Sequence, residues 1–301
     1  MDSMENSQIP NTSTTVAASG IKPVWCPGCG DYGIQAAIMK ALTDLKIDRN
    51  NVVMVSGIGC SSNMPHAFNT YGIHSLHGRL LPVASGVKLA NSDLTVIGIG
   101  GDGDGYGIGG NHLVHTSRRN IDLTYIVINN EIYGLTTGQA SPTSLIGAKT
   151  KSTPFGSVEY PLNPLALAIS AGATYVARGF AGNPQQLAEL IKGGITHKGF
   201  ALIDVLSSCV SFNNLNTYDW FRQRIYKLED EKHDFTNISK ALEKAMEDLA
   251  TGYKRVPTGL FYNTERPTFE SMNLALKDKP ALIKQTLPTK EQVTALLDEN
   301  R

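Results

Sequence analysis

A carboxylate, an amide and four thiols are the groups in this sequence whose types and spacing could do chemistry. Asp102 lies in GGDGDGYGIGGNH, and Asn130 follows 28 residues later in INNEIYG. Glycines let a backbone approach a diphosphate closely, and a carboxylate and an amide oxygen are hard donors that suit a small divalent cation such as Mg²⁺. Diphosphate oxygens, water and a backbone carbonyl of the next turn would complete its shell, and Ile132 is the candidate for that carbonyl. The overlapping GDGDG allows two registers. From Asp102, a β-α-β crossover returns the chain to the same end of the sheet at Asn130, so the two side chains can share one ion.

Only four cysteines occur in 301 residues: Cys26 and Cys29 in WCPGCGDYG, Cys60 in GIGCSS and Cys209 in LSSCV. The pair precedes a helix, where free N–H groups and the helix dipole favour thiolates. Four thiolates suit a structural Zn²⁺ or a [4Fe-4S] cluster. A thioredoxin-like dithiol would have no use for Cys60 or Cys209. Structural zinc usually draws on two Cys-x-x-Cys pairs. Here one pair joins two distant single cysteines at strand ends, which favours the cluster.

These residues need elements to position them. Runs such as NVVMVSGIGC (51–60), DLTVIGIGGDG (93–103), DLTYIVINN (122–130) and FALIDVLSSC (200–209) are short, apolar on both faces and end in Gly, Ser, Cys or Asn. That pattern predicts strands of a buried parallel sheet. Helical spacing predicts a helix over 33–45, capped by Asp31, and others over 107–120, 163–173 and 183–199, the last two opened by Asn-Pro. In such a sheet, ligands gather beyond the carboxyl ends of the strands. Cys60, Cys209, the GDG loop and the NN pair all fall there. Residues 1–20 read as a frayed tail, 21–211 as one α/β domain, and 212–301 as a C-terminal extension packed outside the sheet, with an amphipathic helix over 236–252.

The chain carries 27 basic and 27 acidic residues. That balance gives no overall field to draw nucleic acid or an anionic bilayer, so neither is expected as a partner. No apolar run reaches the length needed to span a membrane, and the N-terminus does not pattern as a secretory signal, so a cytoplasmic protein is expected. Few, clustered cysteines in a reducing compartment are more often metal ligands than disulfides.

The Gly-Asp-Gly and the Asn-Asn some 25 residues on resemble the thiamine diphosphate signature. Together with WCPGCGDYG, GIGCSS, YGIHSLHGRLLPVASGVKLAN, RRNIDLTYIVINNEIYGLTTGQASPT and the late Cys209, the chain resembles the β subunits of the 2-oxoacid:ferredoxin oxidoreductases over residues 21–210. The resemblance implies an α/β, parallel-sheet thiamine diphosphate-binding fold of the pyrophosphate-domain type. It implies that Cys26, Cys29, Cys60 and Cys209 ligate one [4Fe-4S] cluster, and that Asp102, Asn130 and the Ile132 carbonyl hold Mg²⁺. It further implies that Ile58, Gly59, Cys60, Ser61, His77, Gly103, Asp104, Gly134 and Leu135 contact thiamine diphosphate, with His74 as the rival of His77. An α subunit would supply the activating glutamate and much of the substrate pocket, so no independent catalytic side chain is expected here. The implied reaction is CoA-dependent oxidative decarboxylation of a 2-oxoacid, with electrons passing through the cluster to ferredoxin. The rival is a non-redox thiamine diphosphate decarboxylase or carboligase subunit with structural zinc.

Asn63 follows CSS and is expected near the substrate. A neutral amide there, in place of a cation, favours pyruvate and other short or branched 2-oxoacids over 2-oxoglutarate. His112, His115 and Arg118 share one helix face and read as a polar surface against a partner or a neighbouring loop, and Trp25 and Trp220 as packing aromatics.

Overall fold

The computed structural model describes residues 14–277 and 286–299. Helix α1 (Asp31–Asp44) leads to β1 (Val52–Ser56) and β2 (Tyr71–His74), then α2 (Leu80–Ala90), β3 (Thr95–Gly101), α3 (Gly110–Arg119) and β4 (Leu123–Asn129). A small hairpin, β5 (Ile132–Tyr133) and β6 (Gln139–Ala140), precedes α4 (Pro164–Ser170), β7 (Tyr175–Phe180), α5 (Pro184–Thr196) and β8 (Phe200–Leu206). The C-terminal part adds α6 (Tyr218–Arg222), β9 (Ile225–Lys227), α7 (Ile238–Ala245), α8 (Glu247–Ala250) and β10 (Val256–Asn263).

The main sheet has the order β2-β1-β3-β4-β8-β7-β10-β9. The six strands from β2 to β7 run parallel, as the continuous apolar runs predict. Every residue of β4 and β8 is buried, and side chains alternate between two cores. Ile126 and Ile128 join Ile34, Ile38 and Leu187 of α1 and α5 on one face, while Tyr125 and Val127 join Leu80, Leu113, Leu165 and Ala241 on the other. Each fully buried Ile or Leu contributes about 1.5–3 kcal/mol of transfer free energy, so the two cores together fix where the strands end.

Two expectations need correction. The C-terminal part does not pack outside the sheet: β10 pairs antiparallel with β7, and β9 runs alongside it. Residues 14–20 are not frayed. Thr15 bridges Asp48, Ala18 bridges Phe68, and Val16 is buried in the α1 face of the core. The remainder of that expected tail, residues 1–13, lies outside the described residues. The amphipathic stretch over 236–252 is two short helices, α7 and α8. Among the described residues no helix is long and apolar enough to cross a membrane.

Candidate functional site

A cavity of about 170 Å³ opens beyond the carboxyl ends of β1, β3 and β4. Ile58, Gly59, Cys60 and Ser61 enter it after β1, and His77 after β2. Gly103 and Asp104 follow β3, and Gly134 and Leu135 follow β4, with Asp102, Asn130 and Ile132 in the same wall. All nine residues expected at the cofactor and all three expected at the cation therefore meet in one place. Gly101, Tyr133 and Thr136 also line it and were not anticipated.

The two aspartates of GDGDG have different surroundings. The Oδ2 of Asp102 accepts from Ser141 Oγ at 2.5 Å and Thr143 Oγ1 at 2.7 Å. Burial pushes the Asp102 carboxyl up to about 6, and these hydroxyls oppose the rise. Asp104 Oδ1 instead accepts from Ile58 N at 3.0 Å and Gly78 N at 2.7 Å. The His77 Nδ1 stands 3.0 Å from the same oxygen, an ion-pair distance without hydrogen-bond alignment. Asp104 Oδ2 is buried with no partner. A buried carboxylate oxygen without a hydrogen-bond partner beside a cavity fits a polar ligand. The chain passes from Asp104 into α3 through a wide i→i+5 turn, closed by Gly109 N to Asp104 O at 3.0 Å, a form that recurs at functional sites.

His77 faces this cavity, whereas His74 ends β2 with its Nδ1 against Ser56 Oγ and Ser62 O, both at 3.1 Å. Asn63 is outside the cavity wall. Its amide reaches back to the carbonyls of Gly59 at 3.4 Å and Cys60 at 3.3 Å. His112 accepts from Arg79 at 3.1 Å and His115 is exposed, so this helix face meets the start of α2 within the chain.

The four cysteines come from three segments and are neighbours. A methyl group placed on Gly134 would lie 3.5 Å from Cys209 Sγ and 3.6 Å from Cys60 Sγ. Cys29 is electrostatically coupled to Cys209, and Cys60 to both Cys209 and Cys26. Close packing brings the N-terminal pair there: at Gly30 a Cβ would overlap Ser207 Oγ and touch Ala181, so only glycine lets the start of α1 settle against the end of β8. Trp25 is more than a packing aromatic, since its indole N–H donates to Cys60 O at 2.8 Å and ties two cysteine segments together.

At Cys29 burial outweighs the expected effect of the helix start. Burial and the Asp31 carboxylate push the Cys29 thiol well up, and burial followed by Asp31 pushes Cys60 up to about 11. Asp31 does not cap α1 either. It is the first helical residue, buried, and its carboxyl is raised to about 7 mainly by that burial.

Among the described residues no three of His, Cys, Asp and Glu are gathered closely enough to hold a single metal ion. Four thiolates around one Zn²⁺ at 2.3 Å would stand about 3.8 Å from one another. An iron-sulfur cube spreads its thiolates wider than that.

The class of protein emerges from comparison with known families. The family described as "Thiamine pyrophosphate enzyme, C-terminal TPP binding domain" matches residues 51–205, and the family for the C-terminal part of the pyruvate ferredoxin oxidoreductase beta chain matches 209–278. The chain is 45% identical over 289 residues to the 2-oxoacid:ferredoxin oxidoreductase subunit beta of a Sulfolobus species, covering 91% of this chain and 94% of that one. It is 40% identical to the 2-oxoglutarate synthase subunit KorB of Methanocaldococcus jannaschii, over 82% of this chain and 89% of the other. Among solved structures, the 2-oxoglutarate:ferredoxin oxidoreductase from Magnetococcus marinus with 2-oxoglutarate, coenzyme A and succinyl-CoA bound superposes with a TM-score of 0.85 at 43% identity, covering 93% and 94% of the two chains. The chain belongs to the family of 2-oxoacid:ferredoxin oxidoreductase β subunits.

Proposed function

We propose that this β subunit, with an α subunit, catalyses CoA-dependent oxidative decarboxylation of 2-oxoacids and passes the electrons through one [4Fe-4S] cluster to ferredoxin. In the overall reaction the C1–C2 bond of the 2-oxoacid breaks and releases CO₂. The acyl carbon joins the sulfur of CoA, the thiol proton is released, and two electrons leave singly to two ferredoxins. Thiamine diphosphate supplies the electron sink for decarboxylation when bound, and the cluster a one-electron store.

The observation that carries this reading is the shared wall: the cavity that gathers Asp102, Asn130 and Asp104 is lined by Cys60 and reaches Gly134, where a Cβ would meet the sulfurs of Cys60 and Cys209. Asp102, Asn130 and the Ile132 carbonyl are assigned to Mg²⁺. Ile58 to Ser61, His77, Gly103, Asp104, Gly134 and Leu135 are assigned to the cofactor, and the four cysteines to the cluster. On this reading the unpartnered Asp104 Oδ2 finds its partner in the bound cofactor. Raised thiol pKa values make the free site reluctant to ionise, so iron binding must displace protons from Cys29 and Cys60. The structural neighbour contains bound 2-oxoglutarate and the Sulfolobus relative is named for 2-oxoacids in general, so the substrate is a 2-oxoacid taken from a panel that includes both pyruvate and 2-oxoglutarate.

The test is anaerobic co-expression with the α subunit, followed by CoA-dependent ferredoxin reduction across that panel. A brown protein with a reducible cluster signal and 2-oxoacid-dependent turnover is expected. A colourless, zinc-loaded protein that decarboxylates without reducing ferredoxin would replace this reading with the non-redox one.

A further inference from the structure

Behind Asp102 lies a buried hydrogen-bonded chain that reaches the C-terminal part of the fold. Arg178 of β7 donates from Nε to Asp204 Oδ2 at 2.9 Å and from Nη1 to Asp248 Oδ2 at 2.7 Å. Asp204 Oδ1 accepts from Asn129 Nδ2 at 3.1 Å and from Tyr106 at 2.9 Å. A carboxylate held by an arginine can only accept, so the Asn129 amide must turn its nitrogen to Asp204 and its oxygen away. That oxygen lies 2.8 Å from Thr143 Oγ1, which is itself 2.7 Å from Asp102 Oδ2. Ser141 closes on the same Asp102 oxygen, and both hydroxyl residues are buried. The single Thr143 proton is shared between these two accepting oxygens, so Asn129 helps to place the hydroxyl, while Ser141 brings a second hydroxyl to the same Asp102 oxygen.

We propose that Thr143, held in place through Asn129, Asp204 and Arg178, is with Ser141 a positioning residue that orients the Asp102 carboxylate for its divalent cation. This rests on the assignment of Asp102 to the cation made above. Supporting hydroxyls of this kind restrict the ligand to one rotamer before the ion arrives, and partners behind a metal ligand commonly account for about 10–100-fold in metal affinity.

The experiment measures Mn²⁺ affinity by EPR titration of the αβ holoenzyme at fixed thiamine diphosphate, with the reduced-cluster signal recorded in the same samples. Thr143→Val should weaken Mn²⁺ by about 10–100-fold. The cluster signal should be unchanged, and turnover should recover at saturating Mn²⁺. Thr143→Ser, which keeps the hydroxyl, should bind within about threefold of wild type. Equal affinity in wild type and Thr143→Val would overturn the role of the hydroxyl alone, as would a Thr143→Ser enzyme as weak as Thr143→Val. If Thr143→Val lost its cluster signal, Ser141→Ala would decide: weakened Mn²⁺ binding supports the proposal and wild-type affinity overturns it. A wild-type enzyme that bound no Mn²⁺ with thiamine diphosphate present would overturn the cation assignment first, and this proposal with it.

Discussion

The oxygen-rich cavity and the cysteine site share one wall yet are built on opposite principles. At the cavity, Asp102 and Asp104 are held by hydroxyls and backbone N–H groups from three segments, so these carboxylates stand in place before any ligand arrives. At the cysteine site, close packing at Gly30 and the Trp25 bond to Cys60 gather the segments, while burial raises the pKa of the Cys29 and Cys60 thiols. Hydrogen bonding preorganises the first site. Packing gathers the second, so the two halves should fail independently.

Cys209→Ser gives the largest separation. It should abolish ferredoxin reduction, leaving less than about 1% of the wild-type rate, because a missing thiolate opens the cluster. Thiamine diphosphate binding, followed by calorimetry, should persist within about threefold. Coupled loss of both would show that the sites are one unit. Asp102→Ala should do the reverse, weakening Mg²⁺-dependent cofactor binding by at least about 100-fold while the reduced-cluster EPR signal stays.

A pH test sharpens the electrostatic contrast. Burial raises Asp102 from 3.8 to about 6, so in metal-free enzyme the folded state prefers the protonated carboxyl. Its stabilising contribution is complete below about pH 4 and lost as pH rises through about 6, a change of about 3 kcal/mol. Asp102→Asn should therefore raise the metal-free melting temperature at pH 8 and change it little at pH 4; equal shifts at the two pH values would refute the assignment. Trp25→Phe removes one buried hydrogen bond and should cost about 1 kcal/mol together with part of the cluster occupancy, read from iron content. Smallest of all, Asn63→Ala should change the pyruvate to 2-oxoglutarate turnover ratio by less than about threefold, because the amide is spent on backbone carbonyls. A larger change would return Asn63 to the substrate wall.

The parallel sheet and the convergence of GDG, NN and Cys60 were legible because each follows an apolar run buried on both faces, and such runs can end only at the ligand side of a parallel sheet. Strand β10 was not, because Pro257 and Gly259 interrupt its β-branched and aromatic pattern, and Pro257 reads as a break. The choice between His74 and His77 depended on where β2 stops, a boundary that periodicity does not resolve. Ser141 and Thr143 gave no signal: small hydroxyl residues in a Pro-containing loop look like turn chemistry until tertiary structure sets them against a buried carboxylate. Trp25 advertised itself only as an aromatic, since its acceptor lies 35 residues away.

Gly134 has no side chain, borders the cavity, and leaves open the place where a Cβ would meet the sulfurs of Cys60 and Cys209. Were the proposed cofactor and cluster bound, bare main chain at Gly134 and the Cys60 residue itself would be what stands between them, so the separation an electron must cross would be set by the fold and not by a movable side chain.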